Sequence, residues 1–337
     1  MMGILVLIGL IVAAGTGGNM RGNRSRTRLV LTIGTAVSAA GLLCAVGPQA
    51  QAGIAIGLWT NVASYTFRGQ SGSGVDTAEW TYDVGHGIFG NGEIETMTDS
   101  PRNVHLTGTG DLAITALHQG VSWTSGRIHT KRIFTAPAGG ELAVSAAIEQ
   151  PDAGYGYWPA FWMLGQGQWP EHGEIDIMED VNSLGKHSGT LHCGNLTSRN
   201  PDGTTGPCHE YTGLTSELRP CSGCQTGYHV YTVIMNRQDA ADEQIVWEVD
   251  GERYFTLNES QVGAAAWSEA VDHGFSIIFD LAMGGSYPDA TCKCFTPNAS
   301  TLSGGTMDVE YVSVEQWIPL LSLPLGRMAV KPPVGAR

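Results

Sequence analysis

Three carboxylates fall within six residues in the segment Glu174-Ile175-Asp176-Ile177-Met178-Glu179. Cleaving a glycosidic bond needs two carboxyl groups flanking that bond, one of them held protonated. A gap of about 5 to 5.5 Å between them gives retention of configuration, and a wider gap gives inversion. In a strand, alternate residues share a face, so Glu174 and Asp176 point one way while Ile175 and Ile177 point into a core. Strict alternation would then put Met178 on the acidic face and turn Glu179 inward. One extra residue near Met178, a β-bulge, restores Glu179 to the acidic face, and bulges are found beside active sites for this reason. Two strand residues advance about 6.6 Å, which keeps the backbones of Glu174 and Glu179 well apart but lets two long side chains lean toward a retaining separation. The spacing therefore reads Glu174 as nucleophile, Glu179 as acid/base, and the shorter Asp176 as the group that steadies the nucleophile. Three carboxyls on one face cannot all ionise at neutral pH, so at least one pKa must rise, as a general acid requires. The competing reading is a merely acidic strand edge.

The flanks favour a sugar site. Upstream, Tyr155-Gly-Tyr-Trp-Pro-Ala-Phe-Trp-Met-Leu164 and Trp169 are dense in aromatics. Alternation puts Trp158 and Trp162 on one face and Phe161 and Met163 on the other. One set packs the core, and the other offers flat surfaces to pyranose rings. Downstream, Thr190-Leu191-His192 places Thr190 and His192 together, so that His192 can hydrogen-bond an active-site carboxyl and tune it. A purely structural histidine is the alternative.

The elements that carry these residues read as β-strands. Short alternating or β-branched runs recur at Asn103–Leu106, Asp111–Ala116, Leu142–Ile148, His229–Met235, Ile245–Val249, Phe275–Leu281 and Met307–Val314, between Gly, Pro, Asn and Asp signals. That pattern predicts an all-β sandwich. Asp250-Gly251 predicts a tight hairpin turn, Glu259–Ala270 is the best helix candidate, and no internal repeat is visible. The chain of 337 residues, 42% hydrophobic and 15% charged with a net charge of -14, suits a loop-rich protein acting on a neutral polymer. It argues against nucleic-acid binding, which needs clustered Lys and Arg.

The first 52 residues read as a leader. Arg21, Arg24, Arg26 and Arg28 precede an apolar run from Leu29 to Val46 and a small-x-small site, Ala50-Gln-Ala52, the layout of a signal peptide. An earlier apolar run, Ile4 to Ala14, leaves open whether the true start is Met20. A membrane anchor is the competing reading, but the run is short for a span. Leader loss removes four arginines and no acid, taking the net charge from -14 to -18. A secreted monomer with no membrane association after cleavage is expected. Export also suits the six remaining cysteines, Cys193, Cys208, Cys221, Cys224, Cys292 and Cys294, as disulfides. Cys193 with Cys208 is a plausible local closure, while a zinc site built from Cys221, Cys224, Cys292 and Cys294 is the alternative. Past Trp317 no strand is predicted, so 53–317 is read as one domain and 318–337 as a tail.

Taken together, Trp158-Pro-Ala-Phe-Trp-Met-Leu and Trp169-Pro-Glu-His-Gly-Glu-Ile-Asp-Ile-Met-Glu179 resemble the signature of glycoside hydrolase family 16, in its laminarinase-like, bulged-strand branch. Phe89-Gly-Asn-Gly-Glu93, Ser125-Gly-Arg-Ile128 with Lys131, Gly189-Thr-Leu-His192, Phe279 to Gly285 and Asp308 to Val312 resemble family blocks in the same order. The resemblance covers about Trp59 to Trp317. It implies a β-jelly-roll sandwich of the concanavalin A-like type, with an open substrate cleft on its concave face. The implied activity is endo-hydrolysis of a β-1,3-glucan or mixed β-1,3-1,4-glucan with retention. The implied roles are Glu174 as nucleophile, Asp176 as assisting acid and Glu179 as acid/base. Asn91, Arg127, Trp158 and Trp162 would bind sugar, and His192 is grouped with them. No cofactor or catalytic metal is implied. Glu310 stands where some members carry an Asp that serves a structural calcium, so calcium is not predicted. Two departures stand out: Asn91-Gly-Glu-Ile-Glu95 replaces the usual Asn-Asn-Glu-Leu-Gln, and the insert from Cys193 to Cys224 is not part of the common pattern. A galactan or xyloglucan hydrolase, a transglycosylase and an inactive glycan-binding protein are the alternatives.

Overall fold

The computed structural model describes residues 54–87 and 90–323. The leader, Phe89 and the last fourteen positions of the tail lie outside the described residues. Two large antiparallel sheets face each other. One runs, in spatial order, Glu252–Asn258, Gln244–Val249, His229–Asn236, Glu141–Glu149, Thr306–Leu323, Leu112–Thr115 and Val104–Leu106, with Ile54–Thr66 also paired to Thr306–Leu323. The other runs Leu214–Thr215, Lys186–His192, Glu174–Glu179, Tyr157–Gly165, Gly274–Met283, Arg127–Thr130 and Trp80–Tyr82. A small third sheet, Gly85–His86, Glu95–Met97, Ser122–Ser125 and Leu117–Gln119, flanks them. Every strand run predicted from the sequence lies in one of the two large sheets, and the all-β sandwich stands.

The core is the set of side chains that alternation turns inward from both sheets. Phe161, Met163, Ile175, Leu191, Ile277 and Phe279 come from one side; Val144, Ala146, Val233, Met235 and Trp247 come from the other, all at 0% exposure. Phe161 and Phe279 stack with ring centres 4.7 Å apart. Each buried aromatic contributes roughly 2–3 kcal/mol of apolar burial, so this interior fixes the register of the strands that carry the acids.

The predicted bulge is present. Along the pairing with Tyr157–Gly165, Trp162 faces Asp176 but Phe161 faces Met178, leaving Ile177 as the extra residue. Ile177 and Met178 are both buried, at 1% and 0% exposure. Two consecutive inward residues are what return Glu179 to the outer face. The bulge leaves the Asp176 carbonyl to be satisfied from elsewhere, and Trp247 of the opposite sheet supplies the donor: its Nε1–H donates to that oxygen at 2.7 Å. Gly189 makes this possible, since a Cβ there would lie 2.4 Å from the Trp247 ring.

Other expectations are refined. The Asp250-Gly251 turn closes the Gln244–Val249 and Glu252–Asn258 hairpin with positive φ at both residues, 54° and 81°. The single helix expected over Glu259–Ala270 is instead two, Glu259–Val262 and Ala264–Val271, divided where Gly263 adopts a φ of 94°. The last strand does not stop at Trp317: it continues to Leu323, paired through Leu321↔Ile56 and Leu323↔Ile54. Its partner is the first described strand, Ile54–Thr66, which the sequence reading did not identify. The shared zinc site is corrected, because Cys221 bonds Cys224 and Cys292 bonds Cys294, each pair closing on itself. Cys193 bonds Cys208 as expected.

The cross-sheet contact makes a direct prediction. Trp247→Phe keeps most of the volume but strands the buried Asp176 carbonyl, and should cost about 1–3 kcal/mol. Gly189→Ala forces the ring aside, at a similar cost of about 1–3 kcal/mol. Urea unfolding midpoints check both, and parental midpoints in the two variants would show that Trp247 does not hold the bulge.

Candidate active site

Strand register arranges the outward side chains in three rows across the second sheet. The first row holds His192, Glu174 and Leu164; the second holds Thr190, Asp176, Trp162, Ile278 and His129; the third holds Ser188, Glu179, Ala160, Asp280 and Arg127. The bulge decides the third row. Without the extra residue, Ala160 would face Met178, and the acid at its end would be lost to the core. Glu174 and Glu179 thus sit opposite Leu164 and Ala160, four positions apart on one strand, or about 13 Å along the ladder, with Asp176 midway.

Each acid has a defined partner. The Trp158 indole donates to Glu179 Oε1 at 2.8 Å. His192 Nε2 lies 3.5 Å from Asp176 Oδ2 and 3.8 Å from Glu174 Oε1, while its Nδ1 lies 2.7 Å from Glu210 Oε2. The Trp162 indole donates to Asp280 Oδ1 at 2.6 Å, and the Arg127 guanidinium covers the Trp162 ring at 4.7 Å. Arg127 Nε also donates to Asp83 at 3.1 Å. Tyr287, from the helix Ser286–Cys292, meets the Trp158 ring edge-on at 5.6 Å.

Burial dominates the titration of this face. It pushes Glu179 up to about 7, against the pull of the Trp158 hydrogen bond. It raises Asp176 well above the carboxylate range, with Glu179 and Glu174 adding repulsion. Glu174 is raised too, but the positive charges of His192 and Arg127 draw it back. For His192, burial favours the neutral ring, yet the Glu210 hydrogen bond and the charges of Glu174 and Asp176 outweigh it and lift the ring to about 10. Asp280 is raised by burial to about 6. The face therefore offers a carboxyl near its titration point at Glu179, an Asp176 whose proton is favoured by burial and by the two neighbouring acids, and an imidazolium beside Glu174. A carboxyl that can give up a proton and a second one drawn toward ionisation by neighbouring positive charges are the parts that double displacement at a sugar needs.

Among the described residues, two groups each bring three potential ligand atoms within 4.8 Å of one another: Glu174, Asp176 and His192, and Cys221, Cys224 and His229. In the first, the Glu210 hydrogen bond and the charges of Glu174 and Asp176 favour the protonated ring. In the second, the sulfurs are bonded to each other.

Glu174, Asp176, Glu179, Trp158, Trp162, Arg127 and His192 all lie on this face. Asn91 stands apart in an exposed loop, its side chain and backbone N–H turned to Glu93. That loop touches the site sheet's continuation where Ser286 N–H donates to the Asn91 carbonyl. The expectation that Trp158 and Trp162 act as bare platforms is revised: their N–H edges are committed to carboxylates, and one face of Trp162 is covered by Arg127. Sequence reasoning missed Glu210, Asp280 and Tyr287 as members of the site. Asp280 lies inside a block already noted for its order, and its register opposite Ala160 would have found it. Glu210 gave no local signal, because it reaches the site from the cysteine-bearing insert. Beyond Arg127, a groove of about 520 Å³ continues along the same face, lined by Tyr82, Asp83, His129, Leu164, Gln166 and Ser276 among others.

The chain is similar in sequence and in fold to known glycoside hydrolases. Residues 102–233 match a family model described as "XgeA-like, catalytic GH16 domain". The chain is 31% identical over 271 residues to the glucan endo-1,3-beta-glucosidase A1 of Niallia circulans, which covers 72% of this chain but only 36% of that protein's own length. It is 30% identical over 263 residues to the beta-glucanase of Rhodothermus marinus, covering 72% of this chain and 81% of the relative. The crystal structure of the endo-1,3-beta-glucanase from Streptomyces sioyaensis is similar with a TM-score of 0.71 and 40% identity, over 81% of this chain and 99% of that one.

The Trp158 bond carries a prediction that needs no substrate. Carbon-13 NMR of labelled glutamate carboxyls should show Glu179 titrating at about 7, and Trp158→Phe, by removing a donor that favours the charged form, should move it upward. A downward move would show that the indole does not stabilise the carboxylate.

Proposed function

The chain belongs to glycoside hydrolase family 16, and from that premise we propose that it is a secreted, retaining endo-β-1,3-glucanase that also accepts mixed β-1,3-1,4-glucan. The observation that carries this reading is the bulge at Ile177, which sets Glu174 and Glu179 on one face with Asp176 between them. Support for the substrate comes from the relatives, which are named as a glucan endo-1,3-beta-glucosidase, a beta-glucanase and an endo-1,3-beta-glucanase. Support for an endo mode comes from the groove, which runs on past Arg127 on the site face.

The residues act in two displacements. In the first, Glu179, protonated near neutrality, gives its proton to the glycosidic oxygen while the Glu174 carboxylate attacks the anomeric carbon. The leaving chain departs with that proton, and the sugar is held as an ester on Glu174. In the second, the Glu179 carboxylate takes a proton from water, the resulting hydroxide equivalent attacks the same carbon, and Glu174 leaves as a carboxylate. Two inversions give net retention. Asp176, whose proton burial and the flanking acids favour, can donate a hydrogen bond to Glu174 and strengthen it as the leaving carboxylate reforms. Activity should fall above neutral pH as Glu179 loses its proton, and fall in acid as Glu174 gains one.

Leader removal belongs to the same proposal. The exported protein should begin at Gly53 by N-terminal sequencing. Activity is tested on laminarin, lichenan, agarose and xyloglucan side by side, with oligosaccharide products expected from the two glucans. Cleavage of agarose or xyloglucan alone would reassign the substrate, and binding without cleavage would make the chain a glycan-binding protein. Glu174→Ala should lose activity by roughly 10⁴-fold. Azide should restore turnover of an activated β-glucoside, with inverted glycosyl azide as product. Retained azide product from that variant would move the nucleophile elsewhere.

A further inference from the structure

His192 is flanked by acceptors on both ring nitrogens. Its Nδ1 faces Glu210 at 2.7 Å, and its Nε2 faces Asp176 at 3.5 Å and Glu174 at 3.8 Å. An ionised carboxylate only accepts, so Nδ1 donates to Glu210, while Nε2 lies within ion-pair range of Glu174 and Asp176, which favours a second proton there. Glu210 is the member of this set that belongs to no other part of the reaction. Its side chain is at 0% exposure, and its second oxygen accepts from the Cys193 N–H at 2.9 Å. A buried carboxylate is costly unless it is paired and hydrogen-bonded, and here both oxygens are used.

The insert is built to deliver this group. The Cys193–Cys208 bond ties the residue directly after His192 to the residue two before Glu210. The Glu210 backbone pairs with Thr205 in both directions, at 2.7 and 3.1 Å. The next residue, Tyr211, stacks on Trp169 at 5.8 Å and 16°, and the Trp169 ring lies 5.7 Å from the His192 ring. The imidazole is thus held at its Nδ1 edge by Glu210 and packed against Trp169. We infer that Glu210 is a positioning residue for the reaction: fixed by the Cys193–Cys208 bridge, it orients His192 so that its Nε2–H is aimed at Glu174 and Asp176. This inference rests on the reading of Glu174 as nucleophile. It adds that a loop outside the family's common pattern sets the charge beside that nucleophile.

Glu210→Gln separates this role from a structural one. The amide oxygen still accepts from the Cys193 N–H, so a merely structural contact survives. Its NH2 group, however, turns toward Nδ1 and forces that nitrogen to accept, which leaves a neutral ring. Nitrogen-15 NMR of labelled histidines in the full chain, between pH 5 and 8, should show both His192 nitrogens protonated throughout in the parent. In the variant, the ring should become the neutral Nε2–H tautomer within the same range. Kinetics on laminarin should show kcat lower by about tenfold to a hundredfold, as expected for a misplaced partner group, with KM within about threefold. Glu210→Asp, which restores the charge, should return part of the loss. A parent ring that titrates like a free histidine overturns the inference, even if the variant fails to fold. An unchanged spectrum or an unchanged kcat in Glu210→Gln does so as well. If the parent cleaves no glucan, the functional reading falls, while the parent and variant spectra still decide whether Glu210 governs His192.

Discussion

The acidic face depends on a single extra residue in one strand and on the hydrogen bond that keeps it there. A bulge interrupts a ladder and leaves backbone groups without their usual partners. Such a defect, buried in a sandwich core, persists only if something else satisfies those groups. Trp247 does so from the opposite sheet, reaching the Asp176 carbonyl at 2.7 Å. The sandwich therefore helps place the acids: the opposite sheet supplies an indole through the core to the strand that carries them. Gly189 leaves room for that indole, so three strands from two sheets cooperate in setting one parity.

Parity alone would produce an inert acidic face. Burial raises the proton affinity of all three carboxyls, and three neutral acids would offer no nucleophile. Differentiation comes from unequal neighbours. The charge of His192 acts on all three, but Glu174 has Arg127 as a second positive charge, Glu179 has the Trp158 indole donor, and Asp176 lies between two other acids. The same desolvation thus yields three different groups, as expected when two carboxyls of one site must play opposite roles. The cationic ring of His192 opposes the upward shift of Glu174 most strongly, and Glu210 holds that ring through its Nδ1.

The sequence made the ladder legible and the insert opaque, for a physical reason. Alternation is local, so the outward set Glu174, Asp176, Trp158, Trp162 and His192 could be assigned from strand period alone, and the parity break at Met178 exposed the bulge. Strand pairing is not local. The partner of the last strand, Ile54–Thr66, lies more than two hundred residues away, and the chain past Trp317 looked unpartnered for that reason. Glu210 was invisible on the same grounds: its distance to His192 is set by a disulfide and a loop, neither of which leaves a periodic trace. Gly263 shows a smaller failure of this kind, since a glycine inside a helical stretch was read through, although its positive φ divides the helix.

The tryptophans show how one residue type meets two demands. Indole has a donor on its edge and a broad apolar face. In Trp158 and Trp162 the edge is spent on Glu179 and Asp280, which locks each ring in orientation. A ring fixed in this way has little further freedom to lose, so any group that packs against it meets a lower entropic cost. The two functions then depend on each other. An aromatic residue without the N–H would keep the platform but free the ring to turn, and would also leave the acid without its donor. That coupling accounts for tryptophan, rather than phenylalanine or tyrosine, at both outward positions next to the acids.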